Sequence, residues 1–340
     1  VQTSDFDYDL PKEFIAQRPV DPRDSSRLLV FHRASNRIEH RTFHEIIEYL
    51  SPKDVLVLNE TRVIPARLRA RKIPTGGAVE VLLLRRANHQ TWIALVGGKG
   101  VHPKQKLKIS GGPQAEILED LGESRRLIHF DEPISGQLDA IGEMPVPPYI
   151  HTPLQNSYEY QTVFAEIPGS VAAPTAGLHF TPALLETIRA RGIQIAKILL
   201  HIGLDTFAPV TETNPIDHAI HKEWCQVPPE AASIINRTGK TGGRVIAVGT
   251  TTVRTLETAS YQAENDNRIG AYNGDTDLFI LPGYRFRATD VMITNFHLPR
   301  STLLMMVSAF AGRERILEIY QHAIEANFRF YSFGDAMLIL

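Results

Sequence analysis

Cysteine is almost missing from this chain. Cys225 is the only one in 340 residues, so no disulfide can form within it, and a reducing, cytoplasmic setting is expected. Long apolar runs are missing too. The longest, "TLLMMVSAFAG" at 302–312, falls well short of the ~20 residues a membrane helix needs. The opening stretch, "VQTSDFDYDLP", is acidic and has no apolar core, so no signal peptide is expected there and no membrane partner either. There is no G-x-x-x-x-G-K-[ST] and no G-x-G-x-x-G after a strand-like run. This argues against a P-loop and against the usual dinucleotide or methyltransferase fingerprint. Without H-E-x-x-H or paired cysteines, no metal site is expected; His218 and His221, three apart, are a weak exception.

What is present describes an ordinary globular chain with one unusual segment. Apolar residues make up 43% and charged residues 22%, and the length suits about two domains. Net charge is −2. Yet residues 62–110 hold eleven Lys or Arg against a single acid, Glu80. A local charge of that sign and size points to a polyanionic partner, the alternative being a solvated charged face. Arg67, Arg69 and Arg71 are spaced by two, as are Lys104, Lys106 and Lys108. On strands, that period would put each trio on one face, ready for phosphates.

The basic segment also has its own texture. "AVEVLLLRR", "TWIALVGG" and "KQKLKI" are short β-rich runs divided by Gly, Pro, Asn and His. They predict a small β-barrel or sandwich inserted over 66–148. The flanks, 1–65 and 149–340, alternate strand-like and helix-like runs. They predict a discontinuous, layered α/β catalytic domain with a largely parallel sheet.

In such sheets, ligands bind beyond the carboxyl ends of the strands. Four strand-to-helix turns there carry unusual residues. "AAPTAGLHFTP" offers Thr175, Gly177 and His179 before a helix that Thr181 can cap. Its small residues suggest a loop that lets a ligand approach, with His179 at the mouth. "AVGTTTVRTLET" offers the hydroxyls of Thr250, Thr251 and Thr252 at a helix start, with Arg254 and Glu257 three apart. "ITNFHLPRST" offers Asn295, His297 and Arg300. "LLHIGLDTF" offers His201 and Asp205. Each alone has an ordinary reading: a packed histidine, a capping threonine, an i,i+3 ion pair. Their convergence at one sheet edge is what gives them chemical meaning.

Taken together, "RDSSRLLVF", "VLNETRVIPARL", "GEMPVPPYI", "AAPTAGLHFT", "HIGLDTF", "RVIAVGTTTVRTLE", "ITNFHLPRSTLLMMVSAFAGRE" and "FRFYSFGDAML" closely resemble the S-adenosylmethionine:tRNA ribosyltransferase-isomerases of bacterial queuosine biosynthesis. The resemblance covers nearly the whole chain and implies an α/β domain with an inserted β-barrel. It implies transfer and isomerisation of the ribosyl moiety of S-adenosylmethionine onto 7-aminomethyl-7-deazaguanine. The acceptor would sit at the wobble position of tRNAs with GUN anticodons (Asp, Asn, His, Tyr). Epoxyqueuosine would form, with adenine and methionine released. S-adenosylmethionine would be a consumed co-substrate, with no bound cofactor and no metal.

Residue roles come from residue type, since the resemblance does not assign them. His179 and His297 are candidates for acid/base work. Thr175, Gly177, Thr250, Thr252 and Asn295 are candidates for binding the donor's ribose or adenine. Arg254 or Arg300 suits its carboxylate, and Glu257 suits an amine. Two positions depart from the family pattern: Asp205, where relatives carry glycine, and Glu60, where they carry asparagine. Neither is expected to be essential. The competing expectations are an RNA methyltransferase of unusual fold and a non-catalytic RNA-binding protein.

Overall fold

Buried apolar strands stand early and late in the chain, and exposed–buried alternation fills its middle, in the computed structural model, which describes residues 1–203 and 209–340. The chain divides accordingly into two units. One comprises Val1–Thr61, Pro148–Ile167 and Ala173–Leu340, and the other Arg62–Pro147 with Pro168–Ala172.

In chain order, β1 (Arg27–His32), β2 (Arg37–Thr42), β3 (Val55–Asn59) and β4 (Thr61–Val63) come first. Then follow β5 (Arg67–Ile73), β6 (Ala78–Arg86), β7 (Thr91–Gly97), β8 (Lys106–Ile109), β9 (Gln114–Gly122) and β10 (Arg125–Phe130). The short α1 (Leu138–Ile141), β11 (Gly142–Glu143) and β12 (Ile167–Ser170) lead to α2 (Pro182–Ala190), β13 (Gln194–Leu200) and β14 (Glu223–Val227). The rest are α3 (Pro229–Lys240), β15 (Val245–Val248), α4 (Thr250–Ser260), β16 (Tyr272–Thr276), β17 (Val291–Asn295), α5 (Thr302–Ala311), α6 (Arg313–Glu325) and β18 (Ala336–Ile339). Among the described residues no helix is long and apolar enough to cross a membrane.

The larger unit is built on a nine-stranded sheet in the order β16-β14-β13-β3-β15-β17-β18-β1-β2. Its centre, β13, β3, β15 and β17, is parallel. The margins are mixed: β14 and β16 add antiparallel, β18 runs against β17 but along β1, and β1–β2 is a hairpin. The expected parallel arrangement therefore forms the middle of a mixed sheet. The reason is visible in β3, "VLVLN", which is buried throughout. Val55 and Val57 enter a core with Ile235, Leu256 and Met305, from α3, α4 and α5. Leu56 and Leu58 enter the opposite core with Leu184, Leu185 and Ile188 of α2. This strand, covered on both faces, is apolar from Val55 to Leu58, each such side chain contributing roughly 1.5–3 kcal/mol, while the buried Asn59 is satisfied by the backbone of Leu200. The helix predicted after Thr181 forms as its punctuation demands: Thr181 Oγ1 accepts from Leu184 N at 3.2 Å, and Pro182 stands at the first turn.

The smaller unit is a closed six-stranded barrel. Its order is β5-β6-β7-β10-β9-β8, and β8 pairs back onto β5. Period-two burial fixes which face is inside: Leu68, Ala70, Leu107 and Ile109 point inward, while Arg69, Arg71, Lys106 and Lys108 are exposed.

Candidate active site

The parallel centre of the large sheet brings its carboxyl ends to one edge, where α4 and α5 begin. Gly249, at φ +90°, ends β15 and lets α4 start without a linker; a side chain would be strained in that left-handed backbone. Among the described residues no side chain caps α4, and Val253 is the first residue of the helix whose amide bonds back, to Gly249 O at 3.2 Å. The amides of Thr250, Thr251 and Thr252 therefore stand at the positive end of the helix with no intrahelical partner.

Three adjoining depressions form a cleft along this edge. The first is bounded by Thr250, Thr251 and Arg254 with apolar walls from Leu278, Phe279 and Met306. The second shares Thr250 and Thr251 and adds Thr175, Ile202, Asn295 and His297. The third shares Thr175, Asn295 and His297 and adds Tyr149 and Tyr331. Leu303 borders all three. Of the residues expected from the sequence, the fold thus gathers Thr175, Thr250, Asn295 and His297 at one cleft, with Arg254 at its edge.

The others are committed elsewhere. Thr252 is turned into the protein, where Oγ1 donates to Val248 O at 2.7 Å; Thr251 takes the cleft position instead. Arg254 donates to the Glu223 carboxylate at 2.5 Å and to the carbonyls of Leu278, Thr276 and His221 at 2.7–3.0 Å. That leaves little of its fork for a ligand carboxylate. Glu257 is fully buried away from the cleft. Its oxygens accept from the amides of Arg287, Ala288 and Thr289 at 2.9–3.1 Å and from the Tyr284 hydroxyl at 3.2 Å. Arg300 is half-exposed and paired with Asp7. A Cβ on Gly177 would lie 2.6 Å from the Phe164 ring and 3.0 Å from Thr162 Cγ2. Its smallness therefore serves packing rather than ligand approach.

His179 is not at a mouth. It lies under the cleft wall, 5% exposed, stacked on Phe43 with ring centres 4.9 Å apart. Asn295 Nδ2 donates to Tyr331 O at 3.1 Å, which fixes the amide's orientation, because a flipped Oδ1 would face a carbonyl. The same Nδ2 lies 3.2 Å from His179 Nε2, which therefore accepts, and Nδ1 gives its proton to Ser26 Oγ at 2.7 Å. Burial, reinforced by the Arg23 and Arg329 charges, pushes the imidazole down to about 3. His179 is thus a neutral strut. The arrangement leaves Asn295 Oδ1 a buried acceptor without a partner among the described residues, at the wall of the cleft.

His297 borders the cleft itself. Its backbone is pinned on both sides: its N–H donates to Tyr320 Oη at 3.0 Å, and its carbonyl accepts from Tyr8 Oη at 2.5 Å. Its Nε2 lies 2.6 Å from Thr294 Oγ1. Burial pushes this ring, too, down to about 3. Among the described residues, the fourth turn contributes Ile202. His201 is turned away, bonded to Thr61 Oγ1 at 2.9 Å and stacked on Trp224. Asp205 lies outside the described residues. Among the described residues no three His, Cys, Asp or Glu side chains gather as a metal site, and His218 pairs instead with Glu212 at 2.9 Å.

On the barrel, Arg71 stands directly opposite Lys108, with Lys106 two residues along the same strand. Arg69 is matched by Glu143 at 2.5 Å and Arg67 lies 3.9 Å from Glu80. Lys104 does not share the strand of its trio. It sits in the preceding turn at φ +70°, its amide bonded to Ile117 O at 2.7 Å. The exposed basic stripe is therefore Arg71, Lys106 and Lys108.

The model of the queuosine biosynthesis protein family matches residues 3–339. The S-adenosylmethionine:tRNA ribosyltransferase-isomerase of Symbiobacterium thermophilum is 52% identical over 344 residues, covering 100% of both chains. That of Moorella thermoacetica is 53% identical over 345 residues, again covering 100% of both. Among solved structures, a crystal structure of S-adenosylmethionine tRNA ribosyltransferase from Thermotoga maritima is 42% identical with a TM-score of 0.58, over 99% of this chain and 100% of that one.

Proposed function

The chain belongs to the queuosine biosynthesis protein family, and we propose that the cleft at the carboxyl edge of its parallel strands is where it holds S-adenosylmethionine as a ribosyl donor to tRNA. It is a tRNA ribosyltransferase-isomerase by family. The observation that carries the cleft assignment is the meeting of three separate turns there: the loop before α2, the uncapped start of α4 and the turn after β17. They bring hydroxyls, free amides and one imidazole to a partly apolar pocket, the usual make-up of a small-molecule site.

The donor's chemistry fits that lining. The third depression, where Tyr149 and Tyr331 stand beside His297, suits a flat purine. Thr250, Thr251 and Thr175 suit ribose hydroxyls, and the α4 amides suit a carboxylate. The sulfonium acidifies the C5′ hydrogens. Loss of one to water leaves a carbanion at C5′. The acceptor's aminomethyl nitrogen takes C1′ as adenine leaves with the C1′–N9 pair. The nitrogen lone pair then opens the C1′–O4′ bond, C5′ bonds to C1′, and the freed O4′ displaces methionine from C5′ to close the epoxide. The donor is consumed, so the scheme calls for no resident cofactor or metal. The acceptor is 7-aminomethyl-7-deazaguanine at the wobble position of tRNAs with GUN anticodons, and the enzyme works in the cytoplasm, where those tRNAs are. The Arg71–Lys106–Lys108 stripe of the barrel holds tRNA phosphates, a contact that gives salt-sensitive affinity with little sequence dependence.

Calorimetric titration with S-adenosylmethionine tests the cleft assignment. Thr250→Val and Thr175→Val should each weaken donor binding by about fivefold, the ~1 kcal/mol of a missing hydrogen bond. Parent-like affinity in both variants would move the donor elsewhere.

A further inference from the structure

The geometry points to His297 as a neutral hydrogen-bond donor to the departing adenine, not a base, with Thr294 as the positioning residue that sets its tautomer. This rests on the assignment of the cleft to the donor. Thr294 lies on β17, 1% exposed, and its hydroxyl has one partner among the described residues, His297 Nε2 at 2.6 Å. A buried hydroxyl hydrogen needs an acceptor, and Nε2 is the one in reach. Were Nε2 to carry the proton, the Thr294 hydrogen would be stranded in a buried site. Thr294 therefore donates, Nε2 accepts, and a neutral ring must keep its proton on Nδ1.

Nδ1 has no protein partner among the described residues, so with Nε2 held by Thr294 it is the ring nitrogen left for a ligand. The ring forms part of the wall of two depressions. The nitrogen that meets the cleft is thus N–H. Such a nitrogen has no lone pair with which to take a proton, but it can stabilise negative charge. A neutral imidazole polarises the carbonyl of triosephosphate isomerase's substrate in the same way. Burial keeps the ring neutral at working pH, and pinning of the backbone by Tyr8 and Tyr320 holds the donor still. As the C1′–N9 bond breaks, its electron pair passes to the purine, and the aminomethyl nitrogen bonds to C1′. Nδ1–H shares its hydrogen with a purine ring nitrogen without giving it up. Water supplies the purine's proton and takes the one that the amine loses.

Asparagine separates a donor from a base, because its Nδ2–H₂ hangs from Cγ as Nδ1–H does, and an amide cannot accept a proton at neutral pH. With folding verified by thermal melts, His297→Ala should slow single-turnover adenine release by ~10²–10³. His297→Asn should keep at least about tenfold more activity than His297→Ala. Thr294→Val should cut the rate about tenfold or more with little change in donor KM, and Thr294→Ser should restore it to within a few-fold. Nitrogen NMR of ¹⁵N-histidine-labelled protein, without substrate, should show His297 protonated at Nδ1 and bare at Nε2. A proton on Nε2, or equal inactivity of His297→Asn and His297→Ala in folded protein, overturns the inference. Failure of the parent enzyme to release adenine would instead overturn the assigned reaction, and the substrate-free spectrum still decides the tautomer.

Discussion

Glu257→Gln asks whether that carboxylate serves the cleft or the fold. Its oxygens hold the loop before β17: Oε1 accepts from Ala288 N and Thr289 N, both at 3.1 Å, and Oε2 from Arg287 N at 2.9 Å and Tyr284 Oη at 3.2 Å. Glutamine keeps one acceptor and puts an NH₂ where the other stood. If the NH₂ replaces Oε1, two amides face a donor. If it replaces Oε2, Tyr284 can turn to accept and only the Arg287 amide is opposed. The second choice is the cheaper. It leaves one N–H unpaired, about 1–3 kcal/mol, and the two retained bonds lose charge assistance, roughly 1 kcal/mol each. The sum is about 3–5 kcal/mol. At ~2–4 °C per kcal/mol for a domain of this size, Tm should fall by roughly 6–20 °C. Circular dichroism melts read this directly, and titration of the folded variant well below its Tm should give parent-like affinity for S-adenosylmethionine. An unchanged Tm with abolished donor affinity would refute the reasoning and return Glu257 to the ligand.

Gly177→Ala should destabilise by ~1–3 kcal/mol through overpacking against Phe164 and Thr162; denaturant melts should show Phe164→Leu restoring part of that stability, and no rescue would point to a ligand role. Both buried histidines lie at about 3 when folded, against ~6.5 unfolded. The unfolded chain therefore binds more protons between those values, and stability is whole above pH ~6.5 and falls as pH drops toward 3. The decrease by pH 5 should be about 2 kcal/mol per histidine in urea titrations, less in His179→Gln, and a flat profile from pH 7 to 5 would contradict it. Changing Arg71, Lys106 and Lys108 together to glutamine should weaken tRNA binding and reduce the salt slope by ~0.7–0.9 for each phosphate no longer neutralised. Donor affinity should be untouched, and an unaltered slope would clear the barrel stripe of the role.

The architecture is legible in the sequence where pattern alone decides it. The buried run of β3, the Thr181–Pro182 helix start and the period-two barrel strands each follow from local chemistry. So does the convergence of turns, because a parallel centre forces carboxyl ends together. What sequence cannot convey is which way each polar side chain turns. Residue type points to Thr252 rather than Thr251, one position apart on a helix whose phase decides which of them faces the cleft. Arg254 and Glu257 look like ligand groups because their partners, Glu223 and the 284–289 loop, come from distant segments with no sequence signature. Lys104 keeps the period of its trio but falls in a turn, where period two has no meaning. Thr294 carries no signal of its own, since a threonine inside a strand is ordinary until a histidine three residues on folds back to meet it.

Product identification after incubation with S-adenosylmethionine and tRNA bearing the aminomethyl precursor tests the central claim most directly. Chromatography of the small molecules should show adenine and methionine appearing together, in step with gain of the ribosyl-derived group on the tRNA and with no S-adenosylhomocysteine. S-adenosylhomocysteine in place of adenine would mean methyl transfer, and would contradict the account.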